Sequence, residues 1–139
     1  MDWMLEPNLD CAGYPNKGTW IINYHFPNGK GKNAYRGTSR TGFVPNTDEG
    51  KRVLALLVKA FERRHTFIVG DSVTTGQKNC VVWSGIHHKT SPHGGTFAYP
   101  DPTYLNRVTL ELADRGVTLD SEDEIGKILN NSVGHRIVL

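Results

Sequence analysis

Cysteine is scarce in this chain, and that scarcity excludes more than any other feature. The only two, Cys11 and Cys80, stand far apart in 139 residues and form no Cys-x-x-Cys pair, so the usual zinc and redox signatures are missing. Cys80 opens the apolar run Cys80-Val81-Val82-Trp83 and reads as a buried thiol. A reducing compartment, cytoplasm or nucleus, is the expected setting. Charge of one sign is lacking too: the formal net charge is +2, without the clustered basic footprint that phosphate-backbone binding leaves. No apolar run approaches the ~20 residues that a membrane span needs. The first residues carry Asp2 and Glu6, where a secretory signal would show a basic start and an apolar stretch. A soluble, unsecreted protein with no membrane partner is expected.

What is present is ordinary globular composition, 37% hydrophobic and 22% charged, with fifteen glycines for turns. At this length one domain with one core suffices, without disulfide or metal support. In the stretch 18–26, Trp20, Ile22, Tyr24 and Phe26 alternate with Ile21, Asn23 and His25, the pattern of a half-buried strand. Pro27 to Asn33 cannot continue it and predicts a flexible loop with two lysines. Asp48 is the expected cap of a helix to about Arg64, with Val53, Leu54, Leu57, Val58 and Phe61 at helical spacing. Thr66 to Val69 and Cys80 to Trp83 read as two short central strands. Asp101-Pro102 starts a second helix that Gly116 stops, with Tyr104, Leu105, Val108 and Leu112 as its apolar stripe. A short third helix is expected from Ser121 to Leu129, where Ser121 and Glu124 have capping-box spacing. The fold class is therefore α+β: a small single domain, its sheet mixed or antiparallel, with two main helices and a short C-terminal one. Nothing marks an internal domain boundary, and the residues after Gly116 read as an extension packed on the domain or appended to it.

Two polar concentrations stand out. Between Trp83 and Gly95 the chain leaves an apolar strand and offers His87, His88, Lys89, Thr90, Ser91 and His93 within seven residues, which a core does not need. In extended geometry His87 and His88 point to opposite faces, so one at most enters a given pocket. The second is Asp71-Ser72-Val73-Thr74-Thr75-Gly76-Gln77, a hydroxyl-rich loop of the kind that wraps a phosphate with N–H groups and hydroxyls. It lacks the glycine spacing and Lys-Ser/Thr pair of a P-loop. No metal is expected: the adjacent histidines are wrongly spaced for two ligands on one face, and no carboxylate or thiolate falls at the usual intervals. Nothing resembles a nucleophile elbow or a Cys-His arrangement.

Phe43-Val44-Pro45-Asn46, Glu49-Gly50-Lys51-Arg52-Val53-Leu54, Ala60-Phe61-Glu62-Arg63-Arg64, Thr74-Thr75-Gly76, Ile86-His87-His88-Lys89-Thr90 and Tyr99-Pro100-Asp101-Pro102 follow one another in order. In letters, order and gaps these blocks resemble the carboxy-terminal domain of Deltex ubiquitin ligases. Gly13-Tyr14-Pro15 and Gly18-Thr19-Trp20-Ile21-Ile22 extend the likeness upstream, so it covers Met1 to Val117, leaving 118–139 as the extension. The resemblance implies a cleft for ADP-ribose or NAD⁺, brought beside ubiquitin carried by a conjugating enzyme that a RING recruits. The product would be ubiquitin joined through its carboxy terminus to an ADP-ribose hydroxyl. Carried over by position, His87 is the pocket histidine, Ser72, Val73, Thr74, Thr75 and Gly76 form the ligand loop, Tyr99 and Pro100 border the cleft, and Glu111 is the catalytic carboxylate. Such a carboxylate, within hydrogen-bond reach, removes the proton of a ribose hydroxyl as it attacks a thioester.

Two departures matter. The family commonly has His-Gly-Tyr-Pro where this chain reads Phe97-Ala98-Tyr99-Pro100, so a second catalytic histidine is replaced by a ring that can stack on a base but carry no proton. His93, nearby in the same loop, is the candidate replacement. Val73 stands where some relatives have serine. Two cysteines also cannot build a RING, so the chain is either excised from a longer ligase or a free-standing domain that borrows a RING. Three readings follow. The first is a ligase domain that presents ADP-ribose, free or on an ADP-ribosylated protein or nucleic acid, for ubiquitin transfer. The second is a non-catalytic ADP-ribose reader. The third is a protein-interaction domain with an incidental cleft.

Overall fold

Alternation across Thr19–Phe26 gives the strand its period requires, with Ile22, Tyr24 and Phe26 buried and His25 exposed. The structure is a computed structural model that describes residues 1–30, 34–72, 75–131, 135–137 and 139. This strand, β2, is the centre of an antiparallel three-stranded sheet between β1 (Asp2–Glu6) and β3 (Thr38–Pro45). Neither neighbour has a clear alternating signal: β1 is largely exposed, and β3 carries Ser39, Arg40 and Thr41 at one end and Gly42 in its middle. Both were missed by period: β1 buries no residue, and β3 buries only Gly42, Val44 and Pro45 in its second half.

Next comes α1 (Asp48–Glu62), followed by a β-hairpin of β4 (Phe67–Gly70) and β5 (Cys80–Trp83), then α2 (Tyr104–Asp114) and α3 (Asp123–Leu129). The architecture is α+β, with two separate antiparallel sheets. The apolar runs expected as central strands form this separate pair instead. Phe67 and Val81 are buried, whereas Ile68 and Val69 are 47% and 39% exposed, so the hairpin covers the core with one side only.

The helix starts differ from expectation. Thr47, not Asp48, caps α1, its Oγ1 accepting from Gly50 N–H at 3.0 Å. Asp48 and Glu49 fill the first turn, where their charge suits the dipole. Helix α2 begins two residues past Pro102, after Thr103, and Asp101 is not its cap. Asp101 holds Lys89 at 2.9 Å and Arg107 at 2.8 Å, and these cations keep its carboxyl below the usual range, the Lys89 bond most. The capping box at Ser121 does not form either. Glu124 accepts from Asp120 N–H at 2.7 Å and from Lys59 Nζ at 2.6 Å, and α3 starts at Asp123. At α2 and α3 a carboxylate within reach of a cation or a free backbone N–H takes that partner, because charge-assisted bonds are the stronger ones.

Helix α1 is the core's axis. Eight of its apolar side chains, Val53 to Val58, Ala60 and Phe61, are buried, facing Tyr24 and Phe26 of β2 on one side and α2 and α3 on the other. Beyond α2, Val117 is buried and Ile128 and Leu129 pack against the same core. The segment Val117 to Leu129 is therefore docked, held also by Arg52–Glu122 and Lys59–Glu124, both 2.6 Å. Among the described residues no helix is long and apolar enough to cross a membrane, and no group of His, Cys, Asp and Glu could hold a metal ion.

Candidate functional site

Strand β5 leads directly into the histidine stretch, and the in-out alternation continues past its end: Ile86 buried, His87 exposed, His88 buried. His88 is the anchor. Its Nδ1 lies 2.9 Å from Ile86 O and its Nε2 2.8 Å from the Tyr24 hydroxyl. A carbonyl only accepts, so Nδ1 carries the hydrogen and Tyr24 donates to Nε2. The ring lies 4.4 Å from that of Trp83 and edge-on to Tyr24. Burial lowers its pKa to about 4, so it is neutral at ordinary pH. The same burial raises the Tyr24 phenol well above its ordinary value. Gly42 permits this packing: a Cβ there would stand 3.2 Å from His88 Cδ2.

With one imidazole inside, the other is held out. Tyr104, at the start of α2, donates its hydroxyl to His87 O at 2.8 Å. Lys89 pairs with Asp101 and sits 5.3 Å above the Tyr104 ring, while Phe43 N–H of β3 donates to Lys89 O at 2.9 Å. One helix turn after another, α2 then brings Tyr104, Arg107, Val108 and Glu111 to the same side, the i, i+3, i+4, i+7 face. Glu111 meets His87 twice: Oε1 accepts from His87 backbone N–H at 3.0 Å, and Oε2 lies 2.5 Å from Nδ1. The cavity here, about 410 Å³, is lined by His87, Tyr104, Arg107, Val108, Leu110, Glu111 and Asp114. It offers an imidazole and carboxylate for proton transfer and one guanidinium for an anion.

The structure thus joins His87 and Glu111, 24 residues apart. The rest of the expected set lies elsewhere. Ser72, Thr75 and Gly76 belong to the tip of the β4–β5 hairpin, where Gly76 N–H donates to Ser72 O at 2.9 Å and Ser72 N–H to Gln77 O at 2.7 Å. Val73 and Thr74 fall outside the described residues. The tip leaves the Gly70–Cys80 end of the ladder and His87 follows its Phe67–Trp83 end, a ladder roughly 10 Å long. Tyr99 is buried, its hydroxyl donating to Phe43 O at 2.8 Å, and burial raises its pKa. Its ring meets that of Tyr104 edge-on at 5.9 Å. Pro100 follows it through a cis bond and is exposed. Phe97 is 60% exposed, its carbonyl accepting from Thr90 N–H at 2.9 Å. His93 is exposed, its carbonyl accepting from Ser91 Oγ at 2.7 Å, and it is not among the cavity-lining residues.

Sequence reasoning missed Arg107, Leu110 and Asp114. The signal was available: Arg107 and Glu111 are four apart on one helix with Tyr104, and a site at Glu111 implies its i−4 and i+3 neighbours.

Residues 1–117 match the family model of the Deltex C-terminal domain. The chain is 47% identical over 124 residues to the human "Probable E3 ubiquitin-protein ligase DTX3", covering 83% of this chain and 36% of that protein. It is 39% identical over 133 residues to the human E3 ubiquitin-protein ligase DTX1, covering 85% of this chain and 21% of that one. To the mouse E3 ubiquitin-protein ligase DTX4 it is 37% identical over 136 residues, 87% and 21% of the two. The chain thus spans about a third or less of the length of these curated relatives.

Proposed function

The chain belongs to the Deltex C-terminal domain family, and from that premise we propose that it binds ADP-ribose or NAD⁺ and presents an ADP-ribose hydroxyl for ubiquitin transfer. The acyl donor would be ubiquitin held as a thioester on a conjugating enzyme, which a RING outside these residues recruits. The observation that carries this reading is the doubly bonded His87–Glu111 pair on the wall of a cavity that also holds Arg107. A ribose hydroxyl is a weak nucleophile near neutral pH and needs a placed proton acceptor; a diphosphate needs a donor fork, which a guanidinium provides. Arg107 already bridges Asp101 and Thr103 with two of its nitrogens, so it is held in place before a ligand arrives.

In this arrangement the reacting ribose lies at His87 and the diphosphate toward Arg107. The far end of the ligand runs along β5 toward Ser72, Thr75 and Gly76, with Phe97 free to stack on its base. A target carrying ADP-ribose, protein or nucleic acid, enters by the same group, in the cytoplasm or nucleus. Calorimetric titration with ADP-ribose is the direct test, with His87→Ala and Arg107→Ala each expected to weaken binding about tenfold. A parent chain showing no heat with millimolar ADP-ribose would sink the proposal. One observation favours a second reading, a reader without chemistry: Phe97 carries no proton where the family commonly has histidine. Binding with no ubiquitin adduct, under any RING supplied in trans, would select it.

A further inference from the structure

Glu111 has both carboxylate oxygens engaged by a single residue, Oε1 by the backbone N–H of His87 and Oε2 by its Nδ1. A carboxylate that takes the proton of an incoming hydroxyl needs an oxygen aimed at that hydroxyl. Here both point at the imidazole. An ionised carboxylate only accepts, so Nδ1 carries the hydrogen, and in the neutral ring Nε2 keeps its lone pair. The side chain bearing that nitrogen is 72% exposed and lines the cavity. The mount beneath it is rigid: Tyr104 holds the His87 carbonyl, and the next residue, His88, is bonded through both ring nitrogens inside the core. Carboxylate, Nδ1–H and free Nε2 in line form the orienting half of a catalytic triad.

We propose that in this chain His87 Nε2 is the proton acceptor and Glu111 its positioning residue, which fixes the tautomer and stabilises the imidazolium. This deepens the transfer reading and rests on it. The hydroxyl oxygen of ADP-ribose attacks the thioester carbonyl carbon as its proton passes to Nε2. The new C–O bond forms, the C–S bond breaks, and the thiolate of the conjugating enzyme leaves with the electron pair. The imidazolium then gives its proton to that thiolate or to water. Phe97 needs no replacement under this scheme, and His93 has no part in it.

Two-bond ¹H–¹⁵N spectra of the full chain read the tautomer without any substrate. His87 is expected as the Nδ1–H form in the parent. In Glu111→Gln, the amide carbonyl can keep the backbone bond while its NH₂ faces Nδ1, so His87 should shift to the Nε2–H form; His88, Nδ1–H in both proteins, serves as the internal standard. With a RING and charged conjugating enzyme in trans, Glu111→Gln and His87→Gln should each lower the transfer rate about 100-fold or more, the loss falling on kcat. The double variant should be no slower than His87→Gln alone. An unchanged His87 tautomer in Glu111→Gln, or a His87→Gln protein within about threefold of the parent while Glu111→Gln is dead, would overturn the assignment in favour of Glu111 as the base. A parent that neither binds ADP-ribose nor forms adduct, with the tautomers as expected, would overturn the transfer reading and the base assignment with it, so the two failures are distinguishable.

Discussion

The two loops that flank β5 make opposite uses of a similar polar composition. The loop before it, at the hairpin tip, turns on itself: Ser72, Thr75, Gly76 and Gln77 bond to one another through backbone and hydroxyl groups. The loop after it is tied into the core at almost every step. Arg115 holds Ser84 O at 2.5 Å and His65 O at 3.0 Å, His88 is buried, and Lys89 meets both Phe43 and Asp101. A side chain mounted on the second loop, such as His87, is placed before any ligand arrives. One on the described part of the first is held by bonds within the tip rather than by the core.

The contrast breaks most decisively at its anchor. Replacing His88 by alanine removes a packed ring, strands the Tyr24 hydroxyl and frees the Ile86 carbonyl, so a loss of about 3 kcal/mol is expected in denaturant unfolding. Nearly full stability in this variant would mean that the second loop is not held as described.

Acid should act on the same residue with comparable size. The folded-state pKa of His88 is lowered from 6.5 to about 4, so between those values the unfolded chain binds a proton that the native chain does not. Stability from this group is complete above pH 6.5 and declines as pH falls toward 4, by up to about 3 kcal/mol. Unfolding curves across that window should show the decline in the parent and lose most of it in His88→Gln; an equal slope in both would assign the acid sensitivity to other groups.

Arg115→Ala sharpens the comparison on a smaller scale. It leaves Ser84 O and His65 O without their charged donor, for about 2 kcal/mol, and hydrogen exchange should rise at residues 84–88 more than at the hairpin tip. Equal change in both loops would argue against local anchoring. The least effect is expected at the tip. Gly76 sits at φ +70° with no described residue within 4 Å of where a Cβ would point, so Gly76→Ala is expected to cost mainly backbone strain, about 1 kcal/mol. A cost matching that of His88→Ala would show that the tip is as constrained as the loop after β5.

Much of the fold was legible where burial is one-sided. The period of β2 and the apolar stripes of α1 and α2 were clear, because a surface that must face a core repeats its apolar residues at the element's own period. Strands β1 and β3 left little trace, since their pairing with β2 is made by backbone groups that all residues share. The cap at Asp101 and the capping box of Ser121 and Glu124 were misjudged for a related reason: a capping side chain is identified by spacing, but the bonds of Asp101 and Glu124 go to strong partners that the fold supplies, while at α1 the cap is the preceding residue, Thr47. In the site, resemblance singled out His87 and Glu111, and neither spacing nor composition showed that they touch. Arg107 and Asp114 went unnoticed although the helical period places them on the Glu111 face.

By itself the sequence determined the elements that bury a stripe, the family, and the fact that of two adjacent histidines only one could face a given pocket. It could not determine which. That was decided by Tyr24 on β2, Gly42 on β3 and Trp83 on β5, which together form a space that one neutral imidazole fills. With His88 inside, His87 is turned outward to Glu111. The physical reason is that burial and hydrogen-bond partnership are properties of residues brought together from distant parts of the chain, while periodicity is a property of neighbours.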